Sequence, residues 1–166
     1  SEKFQRESIS SDNKKIKLGY FSSDFENHAV ASLLKYLFKN HDKNKFELFG
    51  FNLSKNFSKN DVSRNITVNF KEFIDCNSKT DLEIRNICNS FAIDIAIDLN
   101  GYTKDGRSSI FKNKCAPIQI NYLGYAGTMG EKLHDYIIAD KVVIPERNYK
   151  YYSEKIIFIP NSFFPN

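Results

Sequence analysis

Residues Gly19–Phe38, GYFSSDFENHAVASLLKYLF, carry an apolar run through a polar loop into an amphipathic segment. The run Ile16–Phe21 has the length and character of a buried strand. Val30, Leu33, Leu34, Leu37 and Phe38 then recur at the spacing of one buried helix face. The same alternation continues down the chain. Strands are expected over Phe46–Leu53, Val68–Ile74, Ile93–Leu99, Ile118–Tyr122, Tyr136–Ala139 and Ile156–Ile159. Thr80 and Glu83 form a capping box for a helix whose apolar face is Ile84, Ile87, Cys88 and Phe91. A short basic helix is expected around Ser108–Lys114, and Lys55–Asn65 reads as a polar connection. In Ile93–Leu99 the isoleucines and Leu99 share one face, and Asp94, Ala96 and Asp98 the other. Strands alternating with helices predict an α/β, Rossmann-like, three-layer domain with a mostly parallel sheet. Residues 1–15 are polar and aperiodic, and read as a linker or disordered end before a domain over 16–166.

Composition narrows the function. A chain of 166 residues fits one domain and buries a real core. Its net charge of +4, from 24 basic and 20 acidic residues, is too mild to argue for nucleic acid. No apolar run reaches membrane-span length, and no signal-peptide pattern opens the chain. Cys76, Cys88 and Cys115 are odd in number and lack metal spacing, so they read as reduced thiols in a cytoplasmic protein. The Asn-x-Ser/Thr triplets at Asn52, Asn56 and Asn65 then carry no meaning as glycosylation acceptors.

Three loops hold the candidate chemistry. The first carries Ser22, Ser23, Asp24, Asn27 and His28; the second is Asp98–Thr103; the third, Leu123–Gly130, contains Gly124, Gly127 and Gly130. In a parallel sheet the carboxyl ends of the strands share one edge, so the three face one crevice. Each loop has a plainer reading. A histidine before a helix is more often a cap or hydrogen-bonding group than a catalyst, and Asp24 serves as well in a turn. Asp98 suits the capping of a turn, and the glycines suit tight backbone geometry. No Gly-x-Gly-x-x-Gly follows the first strand, and there is no phosphate-loop Gly-Lys-Ser/Thr. No ligand spacing suggests a metal, and Ser22 and Ser23 lack the glycines of a nucleophile elbow. His41 and His134 are isolated, and read as structural or surface residues.

Taken together, the loops resemble those of the protein O-linked N-acetylglucosamine transferases. Gly19–His28 resembles their GY-S-DF-NH signature, and Asp98–Thr103 their DLNG-T motif. Ala116-Pro-Ile-Gln119 followed by Leu123–Thr128 is similar to APIQ/V … LGYPGT. Asp135–Asp140, Tyr152-Ser-Glu-Lys155 and Pro160-Asn-Ser-Phe163 continue the match, which runs from about Ile16 to the last residue. Asn27-His-Ala-Val30, where animal members have NHPT, looks like a bacterial form.

The resemblance implies the amino-terminal lobe of a two-lobed GT-B glycosyltransferase. Such enzymes transfer GlcNAc from UDP-GlcNAc to Ser or Thr hydroxyls of proteins, inverting the anomeric centre without metal or cofactor. It implies tetratricopeptide repeats before the lobe and a carboxyl-terminal nucleotide-binding lobe after it, as partners of this chain together with the acceptor protein or peptide. By position it implies catalytic roles for His28, beside sugar and acceptor hydroxyl, and for Asp24, on a proton path away from that hydroxyl. Asn27 would touch acceptor or sugar, Leu123 and Gly124 would line the sugar pocket, and Asn100, Gly101, Tyr102, Thr103, Gly127 and Thr128 would support the same crevice. A histidine that the family places upstream, at the junction with the repeats, has no counterpart here. Val30 stands in place of a family Thr, and Ala126 in place of Pro, which loosens that turn. A lone lobe is expected to be inactive. The alternatives are a GDP-fucose donor, as in Spindly-type members, or a non-catalytic α/β binding module from a truncated gene.

Overall fold

The computed structural model describes residues 14–26, 28–58, 60–130 and 132–165, with side chains left out over 28–31. All but the end of the expected linker, and Asn27, lie outside the described residues.

Seven strands form one sheet: β1 Ile16–Ser22, β2 Phe46–Asn52, β3 Glu72–Asp75, β4 Ile95–Asp98, β5 Ile118–Asn121, β6 Tyr136–Ala139 and β7 Lys155–Phe158. Their order is β3-β2-β1-β4-β5-β6-β7, and every pairing is parallel. The chain works outward from β1 to one edge, then returns to the centre and works outward to the other. The reversal falls between β1 and β4, where Phe21 lies opposite Asp98.

Helices cover both faces: α1 His28–Lys39, α2 Asp61–Thr67, α3 Asp81–Phe91 and α4 Ser109–Lys112. The two-residue period of the strands sorts the core. Leu18, Tyr20, Leu48, Ile97 and Ile120 pack with Leu34 and Phe38 of α1 and Ile66 of α2. Phe21, Phe49, Phe51 and Ala96 pack with Ile84 and Cys88 of α3 and Ile110 and Phe111 of α4. Ile93 joins this second core although Ile97 and Leu99 belong to the first, because β4 begins only at Ile95.

The amphipathic reading of α1 holds for Leu34 and Phe38, both buried, and for half-buried Leu33 and Leu37; the Val30 side chain is not among those described. The capping box of α3 is present: the Glu83 amide donates to Thr80 Oγ1 at 3.2 Å and the Thr80 amide donates to Glu83 Oε2 at 2.7 Å.

Two expectations need correction. Part of the polar connection Lys55–Asn65 is helical, as α2 begins at Asp61. It is held by a reciprocal cap in which the Ser63 amide donates to Asn60 Oδ1 and the Asn60 amide to Ser63 Oγ. Ile66 is its one buried hydrophobic residue, so no apolar period marked it. The strand expected over Val68–Ile74 is confined to β3, because Val68, 76% exposed, is the carboxyl cap of α2.

All three cysteines are buried and free. Burial pushes the Cys76 thiol up to about 12, and Cys88, packed against Cys115, is also raised. These are inert core thiols.

Candidate functional site

The crevice at a strand-order reversal is where open parallel sheets hold ligands. Here it is flanked by the segments leaving β1 and β4, and Asn100 joins them. Its Oδ1 accepts from the Ser23 amide at 2.7 Å. Its amide nitrogen donates to Asp24 Oδ2 at 2.7 Å and to Ser23 Oγ at 3.0 Å. Asn100 is 1% exposed, whereas Asp24 is half-buried. The buried amide therefore holds a carboxylate at the crevice wall. The Asp24 backbone is fixed in turn by its own amide, which donates to Ser22 Oγ at 2.9 Å.

Asp98 shapes the second loop from below. Its Oδ1 accepts from the amides of Asn100 at 3.0 Å and Gly101 at 2.9 Å, an Asx turn at the strand end. Gly101 has φ of +59°, and a Cβ there would lie 2.6 Å from Tyr125 Cβ, so both conformation and space call for glycine. Asp98 Oδ2 lies 3.2 Å from Nε2 of His134, whose side chain is fully buried and rests against Phe111.

The third loop leaves β5 beside the second. Leu123 takes φ of +79°, in the left-handed region. Gly124 passes so close to the Leu99 carbonyl that a Cβ would sit 2.2 Å from that oxygen. The Tyr102 hydroxyl donates to the Met129 carbonyl at 2.7 Å, and its ring meets Tyr125 edge-on. Asn121 Nδ2 donates to the Tyr125 carbonyl at 2.9 Å.

The structure thus brings together Asp24, Asn100, Gly101, Tyr102, Leu123 and Gly124 at one sheet edge. His28 is the first residue of α1, the helix that follows β1 in the chain, with its side chain outside those described; Asn27 is outside altogether. Thr103 is half-buried, and its hydroxyl has no hydrogen-bond partner among the described residues. Gly127 lies against the Tyr125 ring, and the Thr128 hydroxyl turns toward Glu154 at 2.7 Å. His134 is not isolated as expected, but buried against Asp98. His41 is structural: its Nε2 is 2.7 Å from the Tyr20 hydroxyl, and burial lowers its pKa. Glu154 and His134 were not legible as parts of this edge, since their partners lie 26 and 36 positions away from them. Among the described residues no group of three His, Cys, Asp or Glu side chains is arranged for a metal ion, and no helix is long and apolar enough to cross a membrane.

Comparison with known proteins gives the arrangement a family. The chain is 37% identical over 153 residues to a probable UDP-N-acetylglucosamine–peptide N-acetylglucosaminyltransferase SEC of Arabidopsis thaliana, covering 92% of this chain and 16% of that protein. It is 37% identical over 155 residues to a UDP-N-acetylglucosamine–peptide N-acetylglucosaminyltransferase of Caenorhabditis elegans, covering 91% of this chain and 13% of the relative. It therefore spans about a sixth or less of these relatives' length. A solved O-GlcNAc transferase of Thermobaculum terrenum, the K341M mutant, superposes with a TM-score of 0.85 at 22% identity, over 92% of this chain and 29% of that one, which shows the shared fold. The family model of glycosyl transferase family 41 matches residues 2–165, and the chain belongs to that family.

Proposed function

We propose that this chain is the amino-terminal lobe of a GT-B protein O-GlcNAc transferase, over residues 16–166, and forms the acceptor side and sugar pocket of its active site. The observation that carries this reading is the Asn100 bridge, which joins two family motifs from separate strands into one wall at the sheet's reversal point. The relatives named above carry UDP-N-acetylglucosamine in their names, which supports that donor over GDP-fucose.

In the proposed reaction the acceptor Ser or Thr oxygen bonds to the anomeric carbon while the bond from that carbon to the diphosphate oxygen breaks. The electron pair leaves with UDP, the configuration inverts, and the hydroxyl proton passes to a base. Asp24 is suited to the proton path because one carboxylate oxygen is fixed by Asn100 while the side chain is half-buried. His28, at the start of α1, is assigned to the same hydroxyl and the sugar, Asn27 to acceptor or sugar, and Leu123 and Gly124 to the pocket wall. No metal or cofactor is assigned. Stabilisation of the leaving diphosphate falls to a carboxyl-terminal lobe. Tetratricopeptide repeats and a cytoplasmic setting belong to the same proposal.

The test is GlcNAc transfer to a peptide by this chain alone and with an added carboxyl-terminal lobe. The lone chain is expected to be inactive and the pair active; full activity of the lone chain overturns the two-lobe assignment. In the active pair, His28→Ala should lower turnover by about 100-fold or more, the scale of a lost acid–base group. Unchanged turnover removes His28 from the chemistry.

A further inference from the structure

The segment Tyr152-Ser-Glu-Lys155 matches the family pattern but has no role in the reaction just described. In the structure it closes over the third loop. The Tyr152 hydroxyl donates to the Ala126 carbonyl at 2.7 Å. The Thr128 hydroxyl donates to Glu154 Oε2 at 2.7 Å, and the Met129 amide to Glu154 Oε1 at 2.6 Å. The Ser153 amide reaches Thr128 Oγ1 at 3.3 Å, and Ser153 Oγ donates to Glu154 Oε2 at 3.2 Å. Glu154 is 5% exposed and Met129 1%, so the carboxylate and the amide it serves are both out of water.

We infer that Glu154, assisted by Tyr152, is a positioning residue that fixes the Leu123–Gly130 loop and through it the fit of the sugar donor. Three observations converge on this. Both carboxylate oxygens are spent on one loop, and a hydrogen bond to a buried charged group is among the stronger ones. The loop needs an external hold, because Leu123 sits in the left-handed region and Gly124 presses on the Leu99 carbonyl. Finally, position 126 is Ala, so no proline ring stiffens the turn, and the Tyr152 hydroxyl is bonded to that same residue's carbonyl. Glu154 immediately precedes β7, so the hold is anchored in the sheet rather than in another loop.

This inference rests on the proposed function for its donor, and its test separates the two. Glu154→Gln keeps the shape but replaces one acceptor with a donor. Tyr152→Phe removes one hydroxyl. In the full-length parent protein, Glu154→Gln should raise the KM for UDP-GlcNAc about tenfold and leave the acceptor-peptide KM unchanged, with a smaller change in the same direction for Tyr152→Phe. Hydrogen exchange on the parent protein should show loss of protection at the Met129 amide while the β1 and β4 amides keep theirs. Unaltered Met129 protection, protection lost throughout the sheet, or equal changes in both KM values would each overturn the positioning role. If the wild-type parent transfers no GlcNAc, the proposed function fails, and exchange at Met129 still decides whether Glu154 holds the loop.

Discussion

The two halves of the sheet are held together by different means. On the β1–β2–β3 side the interior is a lattice of rings. Phe21 stacks on Phe51 with centroids 4.4 Å apart, and Phe25, Phe38, Phe70 and Phe73 meet one another at 4.8 to 6.2 Å. On the β4–β7 side the buried residues include Asp98, Asn100, Gln119, Asn121, His134, Asp140 and Glu154. Each of these polar groups except His134 makes hydrogen bonds to backbone at a loop or strand end. The hydrophobic burial of those rings is largely non-directional and sets how tightly the sheet is clad. Buried polar side chains are directional and fix where particular loops run. The half that supplies more of the crevice's loops carries more of the buried polar contacts, although Ser22 and Asn52 hold loop backbone on the other side as well.

The sharpest way to break this contrast is a ring deletion. Phe21→Ala removes a fully buried ring that also meets Phe111 edge-on. It should cost about 3–5 kcal/mol in urea unfolding. A loss below about 1 kcal/mol would mean the ring lattice is not what holds that half.

On the other side, Gln119→Met keeps volume but removes the polar end. Gln119 accepts from the Cys115 amide at 2.9 Å and donates to the carbonyls of Phe111 at 3.0 Å and Leu133 at 2.6 Å. Leaving these groups unpaired should cost about 2–4 kcal/mol. Exchange protection should fall first around α4 and the segment before β6. A uniform fall across all seven strands would blur the proposed difference between the halves.

The smallest effect concerns acid stability. The Asp140 carboxylate accepts from the amides of Val143 at 2.7 Å, Val142 at 2.9 Å and Phe163 at 2.7 Å, which together hold it below its ordinary value of 3.8. A group with a depressed folded pKa adds stability that is full above its unfolded value and fades as pH falls through the folded one. The Asp140 contribution is therefore lost below about pH 3.8, and Asp140→Asn should flatten the stability–pH curve in that range. An unchanged slope would show that these amides do not favour the charged form.

The same contrast explains what was readable in advance. Strands β1, β2, β5 and β6, and helices α1 and α3, announce themselves through apolar period or a capping box, both local signals. Helix α2 has one buried hydrophobic residue and a Ser in place of the usual Glu of its cap, so local pattern said connection. At the crevice, the residue types and their loops were legible because short ordered motifs carried them. The hub role of Asn100, the burial of His134 against Asp98 and the hold of Glu154 were not. Each is a contact between residues distant in sequence, set by strand order rather than by neighbours.

That strand order has a kinetic consequence. Ser23 and Asn100 are separated by 77 positions, and the βα units between them supply β2 and β3 on the far side of β1. Their bond therefore forms only after a long loop has closed and β4 has docked against β1, a step whose entropy cost must be met before the contact repays it. The crevice wall is thus a non-local feature: it exists only where β1 and β4 are paired, whereas the Phe21–Phe51 stack needs only β1 and β2.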